Sequence, residues 1–100
     1  MSNSNATPRT ECLNPKTGNR LQIESEIYVL FSTAIKEALR DNRSITFTEI
    51  VTSIENYIKR HKINFNKSVG WYAVTVKNDL EAKGILRTFT EKGKKLHRLS

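Results

Sequence analysis

A chain of 100 residues with 37% hydrophobic and 27% charged side chains has the length and balance of one soluble globular domain, which excludes a disordered tract or a multidomain enzyme. No apolar run reaches the length needed to cross a bilayer, residues 1–14 lack the apolar core of a secretory leader, and the single cysteine, Cys12, has no intramolecular partner. A cytoplasmic protein with no membrane role is the expectation. The formal net charge of +7 is unevenly spread. Residues 61–100 carry nine basic and three acidic side chains, whereas residues 24–60 carry five basic and six acidic. A basic block of this kind attracts polyanions, nucleic acid above all, although exposed lysine also serves solubility.

Residues 1–13 are rich in Ser, Asn and Thr without periodicity and are expected to be a flexible N-terminal arm. A single domain over 14–100 follows. Asn14, Pro15 and Gly18 supply turn chemistry, and Leu21 and Ile23 can anchor the arm. A first helix is predicted over 24–40, where Ile27, Leu30, Phe31, Ala34, Ile35, Ala38 and Leu39 recur at helical spacing. The second helix has the sharpest start signal. Thr46 and Glu49 fit a capping box, with Ile45 and Ile50 as the flanking hydrophobic staple, and Ile54, Tyr57 and Ile58 continue the apolar face. Residues 44–45 could pair as a strand stub with the later hairpin. A third helix over 69–83 has a core stripe of Val69, Tyr72, Ala73, Val76 and Leu80 and closes at Gly84. Its opposite face holds Trp71, Val74, Thr75, Asn78 and Ala82. Residues 85–90 and 95–99 read as a hairpin about a turn containing Gly93.

Three helices followed by a hairpin is the order of a winged helix-turn-helix, mainly α with a C-terminal β-hairpin as the wing. The segment from Gly70-Trp71-Tyr72 through Leu80-Glu81-Ala82-Lys83-Gly84-Ile85-Leu86-Arg87 resembles the third helix and wing entry of winged-helix proteins. Together with Asn14-Pro15 and Thr46-x-x-Glu49, it is also similar to a family of small bacterial proteins of unknown function, over most of residues 14–100. The resemblance implies a winged-helix fold and a bacterial setting, and no catalytic residue or ligand. A weaker likeness is to the winged-helix domain of Mrr-type restriction enzymes.

The leading expectation is a DNA-binding protein, such as a transcriptional regulator. Lys92, Lys94, Lys95 and Arg98 make the wing cationic, and Arg87 adds to it unless it pairs with Asp79, Glu81 or Glu91. Lys67 and Ser68 lie at the start of the third helix, where backbone N–H groups favour phosphate. Thr75 and Asn78 project from its outward face toward bases. Trp71 and Val74 on that face point to a different class, a protein-interaction module, because tryptophan is a frequent interface anchor. Three fates remain open for Trp71: exposed, covered by the N-terminal segment, or buried in a homodimer. Catalysis is not expected. Cys12, His61 and His97 are scattered, metal-ligand spacing is absent, and nothing suggests a cofactor or small-molecule substrate. His97 could contact phosphate when protonated but is read first as a neutral structural residue, and His61 as a surface residue at a helix end.

Overall fold

A computed structural model describes residues 7–100. The chain forms β1 (Arg9–Leu13), β2 (Arg20–Glu24), α1 (Ser25–Ala38), α2 (Phe47–Arg60), α3 (Val69–Ala82), β3 (Leu86–Glu91) and β4 (Lys94–Leu99). It is therefore a mixed α/β domain of three helices and two small antiparallel sheets, β1-β2 and β3-β4.

The first hairpin corrects the expectation of an arm over 1–13 and of a chain whose only hairpin is C-terminal. Residues 1–6 of that arm lie outside the described residues. Residues 9–13 pair with 20–24, Cys12 opposite Leu21 and Thr10 opposite Ile23. Antiparallel partners share a face, so Thr10, Cys12, Leu21 and Ile23 form the inner one. Cys12 and Ile23 are each 2% exposed and join the core. The connecting turn is the one the sequence signals. Asn14 N–H donates to the Asn19 carbonyl and Gly18 N–H to the Asn14 carbonyl, with Gly18 at φ 77°. Glycine reaches this left-handed region without a Cβ clash.

The hairpin also starts α1. Its N-cap position, Glu24, makes no side-chain capping bond, but Ser25 N–H donates to the Pro8 carbonyl at 3.0 Å. One of the orphan donors of the first turn is thereby satisfied by neighbouring chain. In α2 the capping box is complete: Glu49 N–H donates to Thr46 Oγ1, and Thr46 N–H donates to Glu49 Oε1. Ile45 and Ile50, the staple positions, are both buried. The α3 helix is capped by Ser68, whose Oγ accepts from Trp71 N–H at 3.1 Å.

The three helices enclose the core. Phe31, Ile35 and Leu39 from α1 meet Ile50 and Ile54 from α2 and Ala73, Val76 and Leu80 from α3. Phe31, Phe65 and Tyr72 add an aromatic trio with centroids 5.2–5.9 Å apart, Phe31 tilted against both partners and Phe65 edge-on to Tyr72. Gly84, at φ 74°, turns the chain out of α3 and into β3. The β3-β4 turn is made by Lys92 and Gly93, both at positive φ, the two-residue geometry that matches strand twist. Ile45 pairs with His97 through both backbone groups, 2.8 and 3.1 Å, so the strand stub beside the second hairpin is present.

Candidate nucleic-acid interface

Strand alternation divides the second hairpin into two faces. Leu86, Thr88 and Thr90 lie opposite Leu99, His97 and Lys95 and face inward; Arg87, Phe89 and Glu91 lie opposite Arg98, Leu96 and Lys94 and face outward. Leu86 and His97 are buried, which fixes the register, since a one-residue slip would exchange the faces. The outer face thus carries two guanidinium groups in directly opposed positions, Arg87 and Arg98. Arg87 lies over the Phe89 ring at 5.4 Å and makes none of the ion pairs considered for it. Arg98 Nε is buried without a hydrogen-bond partner. At the tip, Lys92 and Lys94 are exposed, and Lys95 is exposed beside them. No ion pair among the described residues engages any of the three.

The other candidates sit elsewhere. Lys67 Nζ pairs with Glu24 Oε2 at 3.3 Å, and the Ser68 side chain is committed to the α3 cap. Both residues stand at the start of α3, whereas the wing leaves from its end. Thr75 Oγ1 donates to the Trp71 carbonyl one turn back. Thr75 and Asn78 are half-buried and line a depression of about 370 Å³ against the first hairpin, with Leu13, Asn19, Arg20 and Leu21 on its far wall. The outward face of α3 is therefore flanked by a hairpin. Trp71 remains 46% exposed and Val74 38%, and Leu21 is exposed at 44% on the hairpin side. Of the three fates open for Trp71, the described part of the N-terminal segment does not bury it.

Two polar residues of α3 that lie outside its predicted core stripe are buried. Asp79, 2% exposed, accepts from Leu13 N–H of β1 at 3.0 Å, from the Tyr28 hydroxyl of α1 at 2.5 Å and from Lys83 Nζ at 2.6 Å. Burial pushes its carboxyl up, but the bonds from Lys83, Tyr28 and Leu13 together outweigh that, and it lies below the ordinary value. Tyr28 is raised by burial and by its bond to Asp79. This cluster joins β1, α1 and α3. Cys12 beside it is pushed up to about 11, by burial first and then by the Asp79 charge. A thiol so placed is protonated at neutral pH, the reverse of an activated nucleophile.

Lys77, 5% exposed, is the second. Its ammonium lies 3.5 Å from Glu81 Oε1, an ion pair without hydrogen-bond geometry, and that oxygen is itself buried and unpartnered. Burial holds the Lys77 pKa below its usual value, with Glu81 opposing and Lys16 assisting. His97 is held down to about 4 by burial and then by Lys77, so it is neutral near pH 7, with Nδ1 2.8 Å from Thr88 Oγ1. The largest concavity, about 620 Å³, lies between the start of α1 and the α2–α3 linker and is lined by Ile27, Leu30, Ile63 and Phe65; none of the cationic candidates reaches it. No metal-binding group of side chains occurs among the described residues. No helix there is long and apolar enough to cross a membrane.

A family model matches residues 9–96, described as a family of unknown function, DUF6958. The chain belongs to this family. No curated protein and no solved structure matches it. The matched span includes the first hairpin, all three helices and the second hairpin as far as Leu96, so the first hairpin is part of the family's domain rather than an appendage.

Proposed function

We propose that this member of the DUF6958 family is a winged-helix nucleic-acid-binding protein whose main contact is the second hairpin. The observation that carries the reading is the uncompensated charge there. Residues 86–99 hold five cationic side chains and one acidic, and the tip lysines make no ion pair among the described residues. The winged-helix assignment is supported by the element order, by the Gly84 exit from α3 into the wing and by the Ile45–His97 bridge, which adds a third short strand segment. The first hairpin is an addition to that plan.

Thr75 and Asn78 lie in a depression beside the first hairpin, so α3 is less free to enter a groove than the sequence suggests. Binding led by the wing falls chiefly on the sugar–phosphate backbone, which positions the protein but carries little sequence information. Replacing Lys92, Lys94 and Lys95 together with Ala tests the reading. Affinity for mixed-sequence duplex falls by more than about tenfold, as expected for three lost phosphate contacts, while the unfolding midpoint stays put. Unchanged affinity removes the wing from the contact.

Trp71 and Val74 favour a second reading, a protein-interaction module. Exposed together one turn apart on α3, they form an apolar strip where a groove-reading helix shows polar groups. Sedimentation of the full chain separates the two. A concentration-dependent dimer that Trp71→Ala abolishes assigns the strip to self-association.

A further inference from the structure

We propose that the free edge of β3 is a homodimer interface, where β3 of one chain pairs antiparallel with β3 of a second copy about a two-fold axis at Phe89. The inference stands apart from the nucleic-acid reading and uses a different surface from the Trp71 strip.

The direction of the main-chain bonds makes β3 an edge. His97 N–H donates to the Ile45 carbonyl at 2.8 Å, and its carbonyl accepts from Ile45 N–H at 3.1 Å, so β4 lies between the Ile45 stub and β3. On the other side, Ser100 N–H donates to the Ile85 carbonyl at 3.0 Å. Along an antiparallel strand, successive residues direct their main-chain groups alternately toward the partner and away from it. Arg87, Phe89 and Glu91 therefore direct theirs toward β4, and Thr88 and Thr90 direct theirs outward. No other main chain among the described residues takes those outward groups. Protein edges are commonly blunted by lysine, proline, a bulge or brevity. The β3 strand runs six residues in unbroken one-to-one register with β4 and contains neither lysine nor proline. Arg87, Thr90 and Glu91 are exposed along it.

Charge selects a second copy as the partner and sets the register. Glu91 is the sole acidic side chain of residues 86–99. Neither it nor Arg87 enters an ion pair among the described residues. Both lie on the outward face of the wing, with Phe89 between them. A pairing centred on Phe89 sets Arg87 opposite Glu91 of the second copy, and the two-fold axis repeats the contact. Thr88 and Thr90 then meet as hydrogen-bonded pairs that exchange their outward N–H and C=O groups. Arg87 with Glu91, and Phe89 with its own copy, fall at the non-hydrogen-bonded positions, where side chains approach most closely and opposite charges or aromatic rings strengthen the pair. Centring on Thr88 instead sets Arg87 opposite Phe89 and leaves both charges unmatched. The first hairpin offers no equivalent edge. On β2, Arg20 is already paired with Glu11 at 3.1 Å and Glu24 with Lys67 at 3.3 Å, and the Arg9 guanidinium holds the Gln22 carbonyl at 2.7 Å. The joined sheet carries Lys94 and Arg98 of both copies on one face and so doubles the cationic outer surface of the wing.

The test is sedimentation velocity of the full chain from about 10 to about 500 µM, a range chosen because an edge pairing buries less than a standard interface and is correspondingly weak. The parent passes from monomer to dimer across this range. Arg87→Glu sets like charges opposite each other and weakens association by more than about tenfold, and Glu91→Arg does the same. Mixed in equal amounts, the two variants associate again, because the Arg87→Glu chain is acidic at both positions and the Glu91→Arg chain basic at both. Restoration on mixing also shows that both variants are folded. Thr90→Pro removes an outward N–H that the monomer leaves unused, so it abolishes the dimer while the unfolding midpoint stays near the parent's. A parent that is monomeric throughout, or a dimer that both charge variants retain, overturns the interface. Single variants that stay monomeric when mixed overturn the pairing about Phe89. A dimer lost in Trp71→Ala but kept in Arg87→Glu assigns association to the α3 strip instead.

Discussion

Tyr28 on α1 donates its hydroxyl to the buried carboxylate of Asp79 on α3 at 2.5 Å, and the other oxygen of that carboxylate takes the Leu13 N–H of β1. One side chain therefore holds the first hairpin against the helical body. Lys83 closes the arrangement, bonding both Asp79 and the Tyr28 hydroxyl. The hairpin in turn frames the outward face of α3. The placement of the first hairpin beside α3 thus depends on a buried side chain remote from the wing.

Asp79→Asn is expected to destabilise the fold by roughly 2–3 kcal/mol, since it weakens charge-assisted bonds inside the protein. Tyr28→Phe is expected to cost about 1–2 kcal/mol. Urea unfolding of both single variants and the double variant gives the coupling, expected to exceed about 0.5 kcal/mol because the groups touch. Additive losses would show that the two residues act independently.

His97 makes stability depend on acid. Its folded value, about 4, lies below the ordinary 6.5, so the unfolded chain binds the proton more readily. The contribution is complete above pH 6.5 and is lost as pH falls through the window down to about 4. The loss is on the order of 3 kcal/mol. Burial is the main cause, the charges of Lys77, Lys95 and Lys16 also disfavour the proton, and that of Glu81 opposes them. Unfolding midpoints across that window, compared between the parent and His97→Gln, isolate the term. Parallel curves would mean that other groups carry the acid sensitivity.

Lys92 occupies the left-handed region at φ 51°, at a turn position where Asn is preferred. Lys92→Asn is expected to stabilise the fold by up to about 1 kcal/mol, the usual cost of that conformation for an ordinary side chain. The same change removes a wing cation, so duplex affinity falls. A variant that is both more stable and weaker in binding shows a local cost maintained for function. A gain in stability with unaltered affinity leaves Lys92 without a role in binding.

The parts of the fold set by neighbouring residues were readable in the sequence. The Thr46–Glu49 capping box, the Gly84 exit and the Gly93 turn are local chemistry, and each is found where the spacing puts it. The outward position of Trp71 and Val74 followed from helical periodicity alone. The first hairpin was missed because Arg9–Leu13 offers one core residue, Cys12, in a polar stretch, and that strand gains its stability from β2 and α3 rather than from itself. The turn between its strands was legible, and Cys12 and Ile23 on either side were the available hint. Lys77 and Asp79 flank the core stripe of α3, at positions that become interior only when β1 and the wing pack there. Their polar identity pointed outward, and only tertiary contact reverses it.

The most direct measurement is fluorescence anisotropy of labelled mixed-sequence duplex DNA with the purified chain, at about 50 and about 200 mM salt. The account predicts micromolar or tighter binding at the lower salt and a steep loss at the higher. About five neutralised phosphates give a log–log slope near −4 to −5. Absence of binding at both salts would contradict it, leaving the basic block as a solubility feature and the Trp71 strip as the surface to pursue.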